Sequence, residues 1–223
     1  MKEVKKDEES FVLTHDQEKS LELFCEWLES PYSFQPFVMK GFAGSGKTYL
    51  STKLLKKADE SGLCWTVVAP THKAVGVLRG VLKKESIQPT WFPSTIHRLL
   101  RLKLKRKADI EICEKTVKTD GSMENLGLVL IDEASMIDSK LLEITLECAR
   151  FNSTRLVFVG DPAQLPPVGE SFSSVFLIKR AVKTELKEVV RHQGPVLKLA
   201  KIIRDGQMPC NQPPILPIIN SKK

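Results

Sequence analysis

The chain has 223 residues, 42% of them hydrophobic and 27% charged, which is typical of a globular protein with one domain, or one domain and an appendage. A formal net charge of +7 favours a polyanionic partner without establishing one. The five cysteines contain no C-x-x-C pair, so we predict neither a disulfide framework nor a zinc site, and a cytoplasmic location is the default expectation. Cys64 and Cys148 lie among apolar residues and are predicted to be buried. No apolar run approaches the roughly 18 residues of a membrane span, so no membrane contact is expected.

The first helix signal follows residues 1–12, which we expect to be a disordered lead-in. Thr14 and Gln17 have the spacing of a capping box, in which each side chain caps the backbone of the other residue. Helical periodicity then continues to Leu28. Gln17 has two interpretations that the sequence leaves open: it only completes the cap, or its amide also reads the edge of an adenine base.

Residues 41–48, GFAGSGKT, match the phosphate-binding pattern G-x-x-x-x-G-K-[ST]. An apolar run precedes them and a helical pattern follows, which is the strand–loop–helix context that the pattern requires. Glycines let successive backbone N–H groups point at phosphate oxygens, and the start of the helix adds a favourable field. Lys47 would reach the β- and γ-phosphates of ATP, and Thr48 would bind Mg²⁺. The predicted nucleotide-binding residues of this loop are Gly41, Gly44, Ser45, Gly46, Lys47 and Thr48.

A second strand is predicted over residues 64–69, and it is followed by Thr71, His72 and Lys73. Ligands of open α/β sheets bind at the carboxyl edge of the sheet, so these polar side chains are expected to lie beside a ligand. Solvation of a helix start would also account for His72 and Lys73.

Cations alternate with apolar residues after residue 100, with the period of two that is typical of a strand. They are Arg101, Lys103, Lys105 and Lys107. Ile110, Ile112 and Val117 indicate a returning strand, so we predict that residues 101–125 form an insertion that leaves the main sheet as a β-hairpin. Two interpretations of the cations stay open: a lysine-protected edge strand, or a surface that contacts nucleic acid.

The apolar run of residues 128–131 predicts a strand buried on both faces, and it ends in Asp132 and Glu133. Two acids at the end of such a strand are costly unless they meet a cation. Beside a phosphate loop that cation is Mg²⁺, bound by Asp132, while Glu133 would orient and deprotonate the attacking water. The strand predicted over residues 155–159 leads to a loop whose Gln164 is suited to sensing a γ-phosphate.

Taken in order, these motifs resemble those of the first RecA-like motor domain of superfamily 1B DNA helicases, in the RecD- and Dda-like branch. The matching segments are GFAGSGKT at 41–48, VVAPTHKA at 67–74, STIHRL at 94–99, LIDEASM at 130–136 and VGDPAQLPPV at 159–168. The resemblance covers nearly all of residues 13–206. It implies an α/β RecA-like P-loop fold with a mostly parallel central sheet and helices on both faces. It also implies hydrolysis of ATP with Mg²⁺ and movement along single-stranded DNA.

The resemblance also implies roles for individual residues. Residues 13–17 are similar to the adenine-reading Q motif of the family, which favours the second interpretation of Gln17. Arg191 falls where motif IV carries an arginine, although the surrounding VRHQ departs from the commoner YRQ. The insertion falls where the family carries its strand-separating pin. The predicted single-stranded DNA contacts are Thr71, His72, Lys73, Thr95, His97, Arg101, Lys103 and Lys105.

The family also has a second RecA-like domain, whose motifs V and VI would follow Gly206. Residues 207–223 are expected to be a tail or a severed linker. We therefore expect a truncated piece, a natural fragment, or a subunit that meets its second domain in trans. Such a chain would bind ATP–Mg²⁺, hydrolyse it slowly and not unwind duplex alone. Two other functions stay open: a nucleotide-gated nucleic-acid binding module without productive turnover, and a phosphate-loop kinase acting on a small molecule.

Overall fold

The computed structural model describes residues 12–107 and 110–188. Arg191, the predicted tail and all of the predicted lead-in except Val12 lie outside the described residues. The described helices are α1 (His15–Glu29), α2 (Lys47–Glu60), α3 (His72–Lys84), α4 (Ile96–Leu99) and α5 (Ser139–Asn152). The described strands are β1 (Phe37–Gly41), β2 (Trp65–Ala69), β3 (Ser94–Thr95), β4 (Lys103–Lys107), β5 (Ile110–Glu114), β6 (Leu128–Ile131), β7 (Arg155–Gly160) and β8 (Val182–Leu186). Among these helices, none is long and apolar enough to cross a membrane.

Six strands form one sheet in the order β3-β2-β6-β7-β1-β8, and every neighbouring pair is parallel. The four central strands are almost entirely buried, because parallel sheets are covered by helices on both faces. The predicted mostly parallel sheet is therefore confirmed.

Alternate residues of each strand point to opposite faces of the sheet and belong to two separate hydrophobic clusters. Met39, Val67 and Leu130 pack with α1, α2 and α3 on one face. Val38 and Val129 pack with α4 and α5 on the other face. The predicted placement of helices on both faces is confirmed.

Four of the described helices, α1, α3, α4 and α5, begin at a side chain that caps the first turn. Thr14 and Gln17 form the predicted capping box of α1. The Thr71 side chain accepts a hydrogen bond from the Ala74 N–H at the start of α3. The Asp138 side chain accepts one from the Leu141 N–H at the start of α5. Helix α2 differs, because its N-cap is Gly46, which has no side chain.

The predicted hairpin is present as a separate antiparallel sheet of β4 and β5, with Lys103 opposite Glu114. The Lys105 ammonium lies 2.5 Å from the Glu114 carboxylate. Two details of the prediction were wrong. Arg101 precedes the strand in a left-handed turn (φ 52°), and Val117 is fully exposed beyond the end of β5. The bounds 101–125 of the insertion stay a prediction. The segment that follows the hairpin packs Met123 into the core against α5.

The prediction for the two cysteines was right for one and wrong for the other. Cys148 is buried in α5, and its thiol donates to the Thr119 carbonyl over 3.3 Å. Cys64 is exposed, because it lies just before β2 at the amino edge of the sheet. Its carbonyl accepts a 2.7 Å hydrogen bond from Gly127 there.

Candidate functional site

The parallel sheet brings the ends of its strands to one edge. Strand β1 leads into the phosphate loop, β6 into Asp132 and Glu133, and β7 into Asp161. Strand β2, next to β6, leads to Thr71. The site is therefore assembled from four strands that are distant in sequence, at the edge where open α/β sheets bind ligands.

Helix α2 begins at the end of the phosphate loop without a side-chain cap. Gly44 and Gly46 have φ values of 81° and 83°, in the left-handed region that favours glycine. Ser45 closes the turn by donating its N–H to the Phe42 carbonyl over 3.1 Å. The first N–H groups of α2 have no acceptor within the helix, and Gly46 supplies no side-chain cap. This arrangement suits an anion, which a helix start stabilises through its N–H groups and its dipole.

The Lys47 ammonium lies against the loop that carries it. It donates hydrogen bonds to the Gly41 carbonyl over 2.8 Å and to the Phe42 carbonyl over 3.0 Å. Burial lowers the pKa of Lys47, while the charges of Asp161, Asp132 and Glu133 oppose that shift. One half-buried cation thus lies in the field of three carboxylates.

Asp132 and Glu133 form an acidic pair, and the backbone of Glu133 is strained. Desolvation raises the pKa of Asp132 from its ordinary 3.8 to about 6, although its carboxylate accepts a 2.9 Å hydrogen bond from the Glu133 N–H and lies near Lys47. Glu133 has left-handed backbone angles (φ 54°, ψ 42°), which cost about 1–3 kcal/mol in a residue with a side chain. Such strain at a side chain that faces a groove is typical of a functional site.

Asp161 is a site residue that the sequence analysis missed. It is 4% exposed and accepts hydrogen bonds from the Ala163 N–H (3.0 Å) and the Gln164 side-chain amide (3.2 Å). A Cβ on the preceding Gly160 would lie 3.0 Å from the Ala134 nitrogen, so this glycine allows β7 to end close to the acidic pair. An acid directly after a buried strand was the signal that could have identified Asp161, as it identified Asp132.

These residues fit a nucleotide with Mg²⁺. The carboxylates outnumber the nearby lysine, and oxygen atoms are the ligands that Mg²⁺ prefers. Within residues 12–107 and 110–188, no three His, Cys, Asp or Glu side chains are grouped to hold a metal by themselves. Mg²⁺ in nucleotide sites is usually held by one or two carboxylates together with phosphate oxygens and water.

Gln17 contacts the phosphate loop from α1. Its side chain is 3% exposed; its oxygen accepts from the Thr14 N–H over 3.1 Å and its nitrogen donates to the Ser45 carbonyl over 3.0 Å. Gln17 therefore completes the cap, but it does not only cap, because the same amide also holds the loop. Contact with adenine stays a prediction.

The predicted nucleic-acid residues do not form a single cluster. Thr71 and Lys73 line an open groove of about 680 Å³ that Glu133 and Gln164 also line, and His72 is exposed beside it. The exposed cations Lys103 and Lys105 belong to the separate hairpin, and Arg101 is exposed at its base.

Thr95 and His97 lie at the end of β3, on the far side of β2 from β6. Thr95 is buried, and its hydroxyl accepts a hydrogen bond from the Arg98 N–H over 3.3 Å, so it caps α4. Burial lowers the pKa of the half-buried His97, while the charge of Asp138 opposes the shift. Of these two residues, His97 is the more exposed, and its contact with DNA stays a prediction.

A family model described as an AAA domain matches residues 13–212. The chain belongs to this family. It is 30% identical over 175 residues to the ATP-dependent DNA helicase dda of Enterobacteria phage T4, covering 76% of this chain and 38% of that protein. It is 28% identical over 176 residues to the ATP-dependent RecD2 DNA helicase of Deinococcus radiodurans, covering 77% of this chain and 22% of that protein. The chain is homologous to these helicases and spans less than two fifths of their length.

The fold is also that of solved helicase structures. Bacteroides sp. Pif1 in complex with ADP-AlF4 superposes with a TM-score of 0.62 at 22% identity, over 89% of this chain and 47% of that one. Bacteroides Pif1 bound to single-stranded DNA gives the same TM-score over 88% of this chain and 47% of that one. The predicted membership of the superfamily 1B helicases, RecD- and Dda-like branch, is confirmed.

The contact between Gln17 and the loop predicts that Gly46 tolerates no side chain. In Gly46→Ala the new Cβ would lie 2.4 Å from the Gln17 amide nitrogen, at a φ that disfavours L-residues. We expect the free energy of unfolding to fall by about 2–4 kcal/mol, as measured by urea denaturation. Adding Gln17→Gly should recover only the steric part of the loss. Gly62→Ala, also at positive φ but in open space, is the control for backbone strain alone.

The buried carboxylate of Asp132 predicts a pH-dependent cost to stability. Between the unfolded pKa near 3.8 and the folded pKa of about 6, rising pH ionises the unfolded state first, so the folded state loses stability through this window. Asp132→Asn, which never ionises, should therefore raise the free energy of unfolding by about 2–3 kcal/mol at pH 7.5 and by little near pH 4. The measurement is urea unfolding without nucleotide and with a metal chelator. Glu143→Gln, an exposed acid in α5, should change nothing, and an equal gain at both pH values would contradict the explanation.

Proposed function

We propose that this domain binds ATP with Mg²⁺ at its phosphate loop and hydrolyses it, as the first motor domain of an ATP-dependent DNA helicase that moves on single-stranded DNA. One observation carries the proposal: the Lys47 ammonium lies at the start of α2 in the field of Asp132, Glu133 and Asp161. A triphosphate and a divalent cation together supply both the negative charge that Lys47 and the N–H groups attract and the positive charge that the acids attract.

Each residue of the proposed site has a role that follows from its chemistry. Lys47 would move from the loop carbonyls to the β- and γ-phosphates, and the N–H groups of residues 44–48 would bind the phosphate oxygens. Thr48 and Asp132 would hold Mg²⁺, which when bound neutralises the charge that develops on the phosphates. Glu133 would accept the proton of the attacking water, and Gln164 would sense the γ-phosphate from the adjoining loop. Arg191 is proposed as a further γ-phosphate contact on the resemblance alone.

Single-stranded DNA is proposed to lie across the same edge of the sheet. The related proteins support it, since dda and RecD2 are ATP-dependent DNA helicases and Bacteroides Pif1 was solved bound to single-stranded DNA. In this chain the supporting features are the exposed His72, the groove residues Thr71 and Lys73, and His97. Arg101 and the hairpin lysines would add phosphate contacts. Because the relatives are much longer, we propose that unwinding also needs a second RecA-like domain, in cis or in trans.

Lys47→Ala is expected to weaken the binding of a fluorescent ATP analogue with Mg²⁺ by at least about tenfold, because it removes a charged hydrogen-bond donor to the phosphates. Binding is measured by fluorescence anisotropy. The matched control is Lys57→Ala, an exposed lysine on the same helix. Equal affinity in the parent and in Lys47→Ala would refute the proposed nucleotide site.

Glu133→Gln separates hydrolysis from binding. We expect nucleotide affinity to be retained and single-turnover hydrolysis to slow by about 10²–10⁴-fold, since the amide cannot accept the proton. Quenched-flow assays with and without oligothymidylate measure both rates, with Glu143→Gln as the control. If the parent binds ATP and DNA but hydrolyses ATP no faster than Glu133→Gln, the chain is a nucleotide-gated binding module instead.

A further inference from the structure

Phe92 is presented to solvent by a loop at the edge of the main sheet. Its side chain is 86% exposed, while its neighbour Trp91 packs against the core and Pro93 is buried. Single exposed apolar residues are common on proteins and need no explanation. What distinguishes Phe92 is the rigidity of its backbone and the charge of its surroundings.

Hydrogen bonds to two neighbouring elements fix the loop. The Trp65 carbonyl at the start of β2 accepts from the N–H groups of Thr90 (3.0 Å) and Trp91 (3.4 Å). The Thr66 hydroxyl donates to the Trp91 carbonyl over 2.8 Å, and the Arg79 guanidinium donates to the Pro93 carbonyl over 2.6 Å. The Phe92 ring therefore stands on an ordered backbone, and little backbone entropy would be lost when it meets a ligand.

Two grooves meet at Phe92 and share Arg79, Phe92 and Pro93 in their walls. One, of about 460 Å³, is also lined by Arg98 and Arg101; the other, of about 590 Å³, is also lined by Lys83. Of the residues in the described part of the chain, four cationic side chains thus line the pair of grooves, and no acidic one lines either. A surface with one sign of charge attracts a polyanion.

We propose that this flank, defined by Phe92, Arg98 and Arg101, is an additional contact site for single-stranded nucleic acid. The ring of Phe92 stacks on a base, and the two arginines contact phosphates, which is the combination that single-strand binding surfaces use. A single strand is favoured over a duplex because only unpaired bases can leave their neighbours and stack on a protein ring.

The flank shares Arg101 with the nucleic-acid contacts proposed above and adds Phe92 and Arg98 to them. Arg98 follows His97 in α4 and lines one of the grooves together with Phe92 and Ser94 of β3, the edge strand of the described sheet. A strand that passes His97 can thus reach Phe92. The inference rests on the proposed function, because it extends the path of the same nucleic acid.

The test compares oligonucleotides of two lengths by fluorescence anisotropy, using the whole 223-residue chain. Phe92→Ala should weaken the binding of a labelled oligothymidylate of about 16 nucleotides at least about fivefold, and leave one of about 6 nucleotides unchanged. Phe92→Trp should restore the affinity. Arg98→Gln should make the slope of log affinity against log salt concentration shallower, by the amount expected for about one phosphate contact. An oligouridylate of equal length shows whether the site distinguishes DNA from RNA.

The matched control is Phe151→Ala, a 72% exposed phenylalanine at the end of α5. Thermal unfolding should be the same for both alanine variants and the parent, since both rings are exposed. If the parent binds the longer strand and Phe92→Ala binds it equally well, the inference about the flank is wrong and the proposed function stands. The grooves would then suit an acidic protein segment. If the parent binds neither strand at low salt, both proposals fail.

Discussion

The rest of the site depends on the attraction between one ammonium group and three carboxylates. Lys47 lies in the field of Asp132, Glu133 and Asp161, and each acid is expensive to bury without a positive charge. Among the residues that the structure describes, one lysine does not balance three acids, so this part of the chain leaves negative charge at the edge of its sheet. Burial raises the pKa of Asp132, and the charge of Glu133 adds to that rise. A site of this kind lowers the stability of the empty protein, as functional sites commonly do.

The loop that carries Lys47 is also supported by helix α1. The Gln17 amide lies where a side chain of residue 46 would be, so helix α1 and the phosphate loop can meet only through a glycine. Helix α1 is held in turn by the last strand. The hydroxyls of Ser20 and Thr184 form a hydrogen bond, and the Asp16 carboxylate accepts from the Lys187 N–H over 2.9 Å. The position of the loop is therefore fixed by contacts between both ends of the described chain.

Much of this arrangement could be predicted from sequence because its signals are local. The glycines and lysine of residues 41–48, and the acids directly after the run of residues 128–131, carry their meaning within a few residues. The contacts that complete the site join distant residues: Gln17 meets Ser45 across 28 positions, and Asp161 acts on Lys47 from another strand. Periodicity gives no information on such partners. It also could not show that Cys64 is exposed, since an apolar neighbourhood in sequence differs from one in space.

The two proposed ligands share a wall of the same groove. Thr71 and Lys73 on the nucleic-acid side, and Glu133 and Gln164 on the nucleotide side, line one space. The Asp132 N–H donates to the Val68 carbonyl over 2.9 Å, so strands β6 and β2 cannot shift independently at this edge. A ligand that repositions Glu133 must therefore change the surroundings of Thr71. Coupling between two binding sites is reciprocal. If nucleotide changes the affinity for nucleic acid by some factor, nucleic acid changes the affinity for nucleotide by that same factor. This contact allows a single domain to link the two ligands before any second domain is considered.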